Sequence, residues 1–269
     1  MFKYVTSSGS TIRKPFNKIW IILTVLVLLI LFFWQFITFD PRYIRLSELP
    51  ILLEKIFTPK AGRTWGDYFL YMLQLREPLM DTLKMSLAGT VIGSFAAIPL
   101  AILSARNIFK SRFVYMPARL IMNLIRTIPV MILALVAVFF VGIGVLSGIL
   151  AIILFTFGIM SKMLYEIIET VDMSSYEALE STGANKMQAF RYSVVPQILP
   201  VFISYLIYVF EINVRSSAIL GYVGAGGIGS VIKDNILYNY DRVGGAIIVM
   251  LITILIVQFL SNYVRGKLQ

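Results

Sequence analysis

Long uncharged runs dominate the pattern of this chain. A helix crossing about 30 Å of hydrocarbon needs about 20 mostly apolar residues. Ile19 to Phe39 supplies 21 positions without a charge, between Lys18 and Asp40, and Met85 to Ala105 supplies 21 more, between Lys84 and Arg106. Thr127 to Ser161 holds 35 uncharged residues, too many for one span, with glycines at 142, 144 and 148. This run reads as parts of two helices, about 118–141 and 147–168. A further span begins near Pro196 and Pro200 and reaches Leu220, and the last runs from Gly244 to Val264. The pattern predicts an all-α, polytopic membrane protein with six transmembrane helices. The first apolar run exceeds the 7–15 residues of a signal-peptide core and has no small-x-small cleavage pattern behind it. It is therefore expected to stay as an anchor, with Trp20 and Trp34 in the interfacial belts.

Composition agrees with this reading. Of 269 residues, 58% are hydrophobic and 14% charged, against about 45–50% and about 25% in soluble domains. The formal charge of +10 would suggest nucleic acid on a soluble chain, but basic loops that orient spans explain it without that partner. Lys3, Arg13, Lys14 and Lys18 precede the first span; Arg106, Lys110 and Arg112 follow the second; Arg265 and Lys267 follow the last. None of these stretches holds an acid. An even span count puts all three, and both termini, on the cytoplasmic side. The loop 169–195 falls there too. Residues 40–81, with six basic and six acidic side chains and Pro41, Pro50, Pro59 and Gly62, fall outside as short surface helices. The expected organisation is a tail, first span and outer segment over 1–80, then a transmembrane domain over 81–269. With no His and no Cys, disulfides, thiolate nucleophiles, Ser-His-Asp triads and His- or Cys-based metal sites are excluded.

Several motifs carry candidate chemistry. Gly89, Gly93, Ala97, Ala101 and Ala105 recur every four residues and share a helix face. Such a stripe admits a close helix neighbour, either as fixed packing or as a face that slides during a cycle. Pro99 in the same span is a candidate kink. Ser174-Ser175-Tyr176-Glu177 fits a capping box, with Ser174 and Glu177 exchanging bonds at a helix start. Gly183 would end that helix, and a second piece, Asn185 to Tyr192, would lead to Pro196. Charges inside spans are costly and face a cavity or a partner. Glu211 and Arg215 sit four apart, as do Lys162 and Glu166, so each pair can meet across one turn. Arg126 stands near Pro129 without a nearby acid. These pairs either neutralise each other and fix packing or serve an anion path, since a guanidinium fork matches oxyanion geometry. Arg126 and Arg215, with Glu211, are the candidate pathway residues.

Gly224 to Gly229 matches G-x-G-x-x-G. A dinucleotide site would need a strand before it, and here an apolar span precedes it. The segment Gly221, Gly224, Gly226, Gly227 and Gly229 is either a flexible outer turn or a place of close backbone packing at an outer gate. No G-x-x-x-x-G-K-[ST] occurs, so ATP hydrolysis would fall to a partner.

Glu177-Ala178-Leu179, three residues, Gly183, nine residues and then Ser193-Val194-Val195-Pro196 resembles the EAA loop of ABC-importer permeases. Leu179, Ser193 and Val195 depart from the family pattern; Glu177, Gly183 and Pro196 keep its spacing. The Phe210-Glu211-Ile212-Asn213-Val214-Arg215 string, the glycine-rich segment and Arg126-Thr127-Ile128-Pro129 are similar to phosphonate-type permeases, with counterparts of the last two in methionine permeases. The resemblance covers about residues 80–265. It implies a type I ABC importer permease-like bundle whose residues 172–192 dock on an ATPase through Glu177, Ala178, Gly183 and Pro196. It also implies two ATPase subunits using ATP and Mg, an extracytoplasmic binding protein at Gly221–Gly229, a second, identical permease copy, surrounding membrane lipid, and no cofactor on this chain. The substrate it points to is phosphonate or a related phosphorus oxyanion, with methionine as the alternative. A membrane-embedded enzyme and a passive channel are the readings from other classes.

Overall fold

The computed structural model describes residues 3–5, 11–13, 18–34 and 46–268. They divide into two units, Met1–Pro50 and Ile51–Gln269. In the first, strands β1 (Lys3–Val5) and β2 (Thr11–Arg13) pair antiparallel, Tyr4 opposite Ile12. This small ladder is an exception to the all-α expectation. Helix α1 (Lys18–Trp34) follows. Its 17 residues rise about 25 Å, short of a full hydrocarbon core. The expected span continues over 35–39, which lie outside the described residues.

The boundary falls within α2 (Leu49–Phe57), and the second unit goes on with α3 (Trp65–Gln74), α4 (Arg76–Ser104), α5 (Arg112–Thr127), α6 (Val130–Val141) and α7 (Val145–Thr170). Then come α8 (Ser174–Ser181), α9 (Lys186–Ala189), a π-helical turn Phe190–Val194, α10 (Val195–Tyr222), α11 (Gly227–Asn235) and α12 (Tyr240–Leu268). Among the described residues, α4 (joined to α3), α7, α10 (with the turns before it) and α12 are long and apolar enough to cross a membrane. The bent pair α5–α6 makes a fifth candidate.

The expected straight helix over 118–141 is not formed. Helices α5 and α6 meet at 88°, and the break is Ile128-Pro129, where both residues are extended. Proline has no amide to donate and disfavours helical backbone in the residue before it. The next break falls at Gly142 and Gly144, both at positive φ. Gly148, also an expected break, lies inside α7.

Packing follows the small residues. Lipid gives helices no hydrophobic reason to associate, so close van der Waals contact must hold them. A Cβ on Gly89 would lie 2.5 Å from Ile152 Cγ2, and one on Gly93 would lie 2.7 Å from the Ile153 carbonyl. The expected stripe on α4 is thus the seat of α7. Ala97, Ala101 and Ala105 continue it, fully buried against Met160, Leu164 and Ile168 of α7 and Phe202 and Val209 of α10. Two of the buried hydroxyls on α4 are satisfied within the helix: Ser86 Oγ donates to the Thr82 carbonyl at 2.8 Å and Thr90 Oγ1 to the Ser86 carbonyl at 2.6 Å.

Candidate functional site: coupling loop, buried charge cluster and glycine corner

The loop between α7 and α10 is two short helices around one glycine. Helix α8 begins at Ser174, but not with the expected box: Met173 is the cap residue, Ser174 accepts nothing from Glu177, and the Glu177 amide donates to the Met173 carbonyl. Asp172 does the capping instead. Its carboxylate accepts the Ser174 amide and the Ser174 hydroxyl, each at 2.9 Å. Asp172 is a stronger acceptor two residues earlier and leaves Ser174 as donor. These bonds, the amide first and the hydroxyl second, hold the Asp172 carboxyl below the usual carboxylate range. Tyr176 donates to Glu180 at 3.2 Å. Burial first, then that carboxylate, pushes its phenol up.

Gly183 ends α8 as expected. It has φ +93°, its amide donates to the Glu180 carbonyl at 3.0 Å, and the Ala184 amide donates to the Leu179 carbonyl at 3.1 Å, a glycine-closed helix end. The capping box expected at Ser174 is found eleven residues on. The Asn185 side chain accepts from the Gln188 amide at 2.9 Å, and the Gln188 side chain accepts from the Asn185 amide at 3.0 Å. Pro196 lies in the first turn of α10, directly after the π-helical turn Phe190–Val194. Glu177, Ala178, Gly183 and Pro196 are all exposed. Met187 and Tyr192, which the sequence reading passed over, add exposed apolar surface to the same loop.

Inside the bundle the expected Glu211–Arg215 pair forms. A third member comes from the last helix: Arg265 Nη2 lies 3.6 Å from Glu211 Oε2, with its guanidinium 5.5 Å from the Tyr208 ring centre. Glu211 is buried while the Arg215 side chain is 48% exposed, so one carboxylate serves two cations and one cation reaches outward. Arg265, taken from sequence as a loop charge, belongs to this cluster. Two residues along α10, fully buried Asn213 donates to Thr90 Oγ1 and Thr156 Oγ1, each at 2.8 Å. This amide ties α4, α7 and α10 together. Lys162 and Glu166 approach to 3.4 Å on α7. Arg126 is exposed at the end of α5 and makes no ion pair or hydrogen bond among the described residues. It is not brought to Arg215 by any contact.

The glycine segment is a packed corner, which decides against a flexible turn. Gly224, Gly226 and Gly227 have φ of +96°, +77° and +70°. They turn α10 into α11 so tightly that a Cβ on Gly221 would lie 2.4 Å from Gly229 Cα, and one on Gly229 would lie 2.0 Å from the Ala218 carbonyl. The corner is pinned from two sides. The Gly144 amide donates to the Gly224 carbonyl at 2.9 Å, and the Ile228 amide donates to Thr82 Oγ1 at 2.9 Å. A helix precedes the motif where a dinucleotide site needs a strand.

The helical architecture agrees with the comparisons. The family model for the inner membrane component of binding-protein-dependent transport systems matches residues 97–268. The chain belongs to that family. It is 37% identical over 226 residues to the phosphite transport system permease protein PtxC of Stutzerimonas stutzeri, covering 83% of this chain and 82% of that one. It is 37% identical over 186 residues to the putative phosphite permease HtxC of the same organism, covering 69% of this chain and 66% of that one. It is also 34% identical over 189 residues to the phosphate-import permease PhnE of Mycolicibacterium smegmatis, covering 70% of this chain but 36% of that one. Among solved structures, a chain of the inward-facing methionine ABC transporter MetNI matches 74% of this chain and 97% of its own. Its TM-score is 0.66 and its identity 22%, so it speaks for the fold alone. The chain is thus a multi-pass permease of the ABC importer class.

Proposed function

We propose that this permease passes a phosphorus oxyanion, phosphite or a phosphonate, across the bacterial cytoplasmic membrane in an ATP-driven importer. The observation that carries the reading is the 37% identity to a phosphite permease over 226 residues. Two copies form the pathway, each meeting an ATPase subunit that uses ATP and Mg. The exposed face of α8, α9 and the π-helical turn, with Glu177, Ala178, Gly183, Met187 and Tyr192, is the surface each ATPase grips; Pro196 sets the direction in which α10 leaves it. This places residues 171–195, the 106–112 loop and both termini in the cytoplasm, in keeping with the acid-free basic segments there.

The corner of Gly221, Gly224, Gly226, Gly227 and Gly229 is then at the outer face, where a loaded binding protein docks. Its backbone-to-backbone packing passes a push on α11 into α10, α4 and α7. Arg215 is the pathway cation: a guanidinium 48% exposed within a span must face water or a second copy. Glu211 holds it in place, and Arg126 supplies a second positive group nearer the end of α5. Transport would be measured in proteoliposomes holding permease and ATPase, as stimulation of hydrolysis and uptake by binding proteins loaded with phosphite, phosphonates or methionine. Phosphorus oxyanions are expected to stimulate; stimulation by methionine alone refutes the substrate. Arg215→Ala is expected to cut uptake at least tenfold while the binding protein still docks. Equal loss of both assigns Arg215 to packing with Glu211.

A further inference from the structure

A cavity of about 480 Å³ opens where the α4–α5 loop folds against α5, lined by none of the residues of the Glu211 cluster or the glycine corner. Its polar wall is Arg106, Tyr115, Arg119 and Asn123, and its apolar wall includes Met116 and Leu120. The Tyr115 ring lies within reach of two guanidiniums, 5.1 Å from Arg106 and 5.4 Å from Arg119. Arg119 is fixed: it donates to the Ser104 carbonyl at 2.9 and 2.8 Å, pairs with Glu169, and stacks 4.4 Å from the Tyr165 ring. The Arg106 amide also donates to Glu169, at 2.8 Å. Among the described residues, the Arg106 guanidinium has no carboxylate partner and no hydrogen bond, and its charge rests on the Tyr115 face. Arg112 approaches one lining residue, with Nε 3.0 Å from Met116 Sδ. Two guanidiniums, Arg106 and Arg119, therefore line the cavity beside one carboxylate, Glu169, whose charge the Arg119 side chain already takes. Lys110 adds another positive charge in the adjoining loop.

We propose that this cavity holds the phosphodiester of an anionic phospholipid, with an acyl chain along Met116 and Leu120. The imbalance of charge calls for an anion, and the apolar wall, 45% and 60% exposed at those two residues, calls for hydrocarbon beside it. A free inorganic ion satisfies the first requirement and not the second. On the orientation given above, the site lies at the cytoplasmic leaflet, where anionic lipids concentrate and each basic side chain adds to their attraction. The lipid would brace the start of α5 against the end of α7 through Arg119 and Glu169.

The test uses the purified full-length protein in neutral detergent, titrated with phosphatidylglycerol and followed by native mass spectrometry. Parallel titrations use phosphatidylcholine and inorganic phosphate. Phosphatidylglycerol is expected to bind, phosphatidylcholine at least fivefold more weakly, and millimolar phosphate is expected not to displace the lipid. Arg106→Ala is expected to weaken phosphatidylglycerol binding about fivefold, with Arg106→Lys restoring most of it. Lys233→Ala, the same charge change on α11, is expected to leave it unaltered. Equal binding by wild type and Arg106→Ala, an equal loss in Lys233→Ala, or displacement by phosphate would each overturn the proposal. Neither transport nor its substrate enters the readout, so failure here is separate from failure of the transport assignment.

Discussion

Gly229→Ala adds one methyl group at the tightest point of the glycine corner. The new Cβ would stand 2.0 Å from the Ala218 carbonyl oxygen and 2.9 Å from Gly221 Cα. Ordinary contact begins near 3.4 Å, so backbone must part by about 1.4 Å. Neither neighbour is a side chain that can rotate away, and α11 is held in place by the Ile228–Thr82 and Gly144–Gly224 bonds. Overpacking costs about 1–3 kcal/mol, and with backbone on both sides the upper end applies. At about 2–4 °C per kcal/mol for a chain of this size, the melting midpoint should fall by about 6–12 °C. Tryptophan fluorescence of the purified protein in detergent would follow it. Gly266→Ala is the control: it sits in α12 with nothing within 4 Å of its Cβ, so alanine should stabilise by up to about 1 kcal/mol. Gly229→Ala should also lose stimulation of hydrolysis by the binding protein while keeping basal hydrolysis. A Gly229→Ala midpoint within about 2 °C of wild type would refute the close approach of α10 and α11.

Asn213→Ala removes the bonds to Thr90 and Thr156 and should cost about 1–3 kcal/mol, read as a lower melting midpoint; an unchanged midpoint would mean the amide does not tie the three helices. Asp172 has a lowered pKa when folded, so its contribution to the α8 start is complete above the unfolded value near about 3.9 and fades as pH falls through the lower folded value. Protection of the Ser174 amide from exchange, corrected for intrinsic rate, should drop only in that acid window, and Asp172→Asn should abolish the drop; protection independent of pH would contradict the cap. Gly183→Leu meets open space but a φ of +93°, which costs a side-chain-bearing residue about 1–2 kcal/mol. It should redirect α9, leaving insertion and basal hydrolysis intact while uptake falls; full uptake would argue against the coupling role.

The parts of the site read well from sequence are those set by neighbours along the chain. Glu211–Arg215 lie one turn apart, and Gly183 lies where a helix must stop, so each follows from local geometry. Asp172 was missed although it is adjacent, because Ser, Asp and Asn compete for the same capping bonds and the box pattern at Ser174–Glu177 looked complete. Arg265 with Glu211 and Arg119 with Glu169 are separated by 54 and 50 positions, and no periodicity reports such a meeting. The helix–glycine–helix form of the 171–195 loop was legible through the spacing of Gly183 and Pro196.

Sequence alone determined that the chain lies in a membrane, where most of its long helices run, and that small residues line one face of α4. Uncharged runs near 20 residues have few other stable homes, and every fourth position must share a face. Tertiary structure decided the rest. It bent 118–141 by 88° at Pro129, because a proline in a span is kinked or tolerated according to which neighbours take up the freed carbonyls. It turned the glycine segment from an open choice into a corner packed backbone to backbone. It also drew Arg265 out of the expected loop and onto Glu211. Hydropathy is a sum along the chain and sets depth; partners are chosen across the bundle, between residues that the chain keeps far apart.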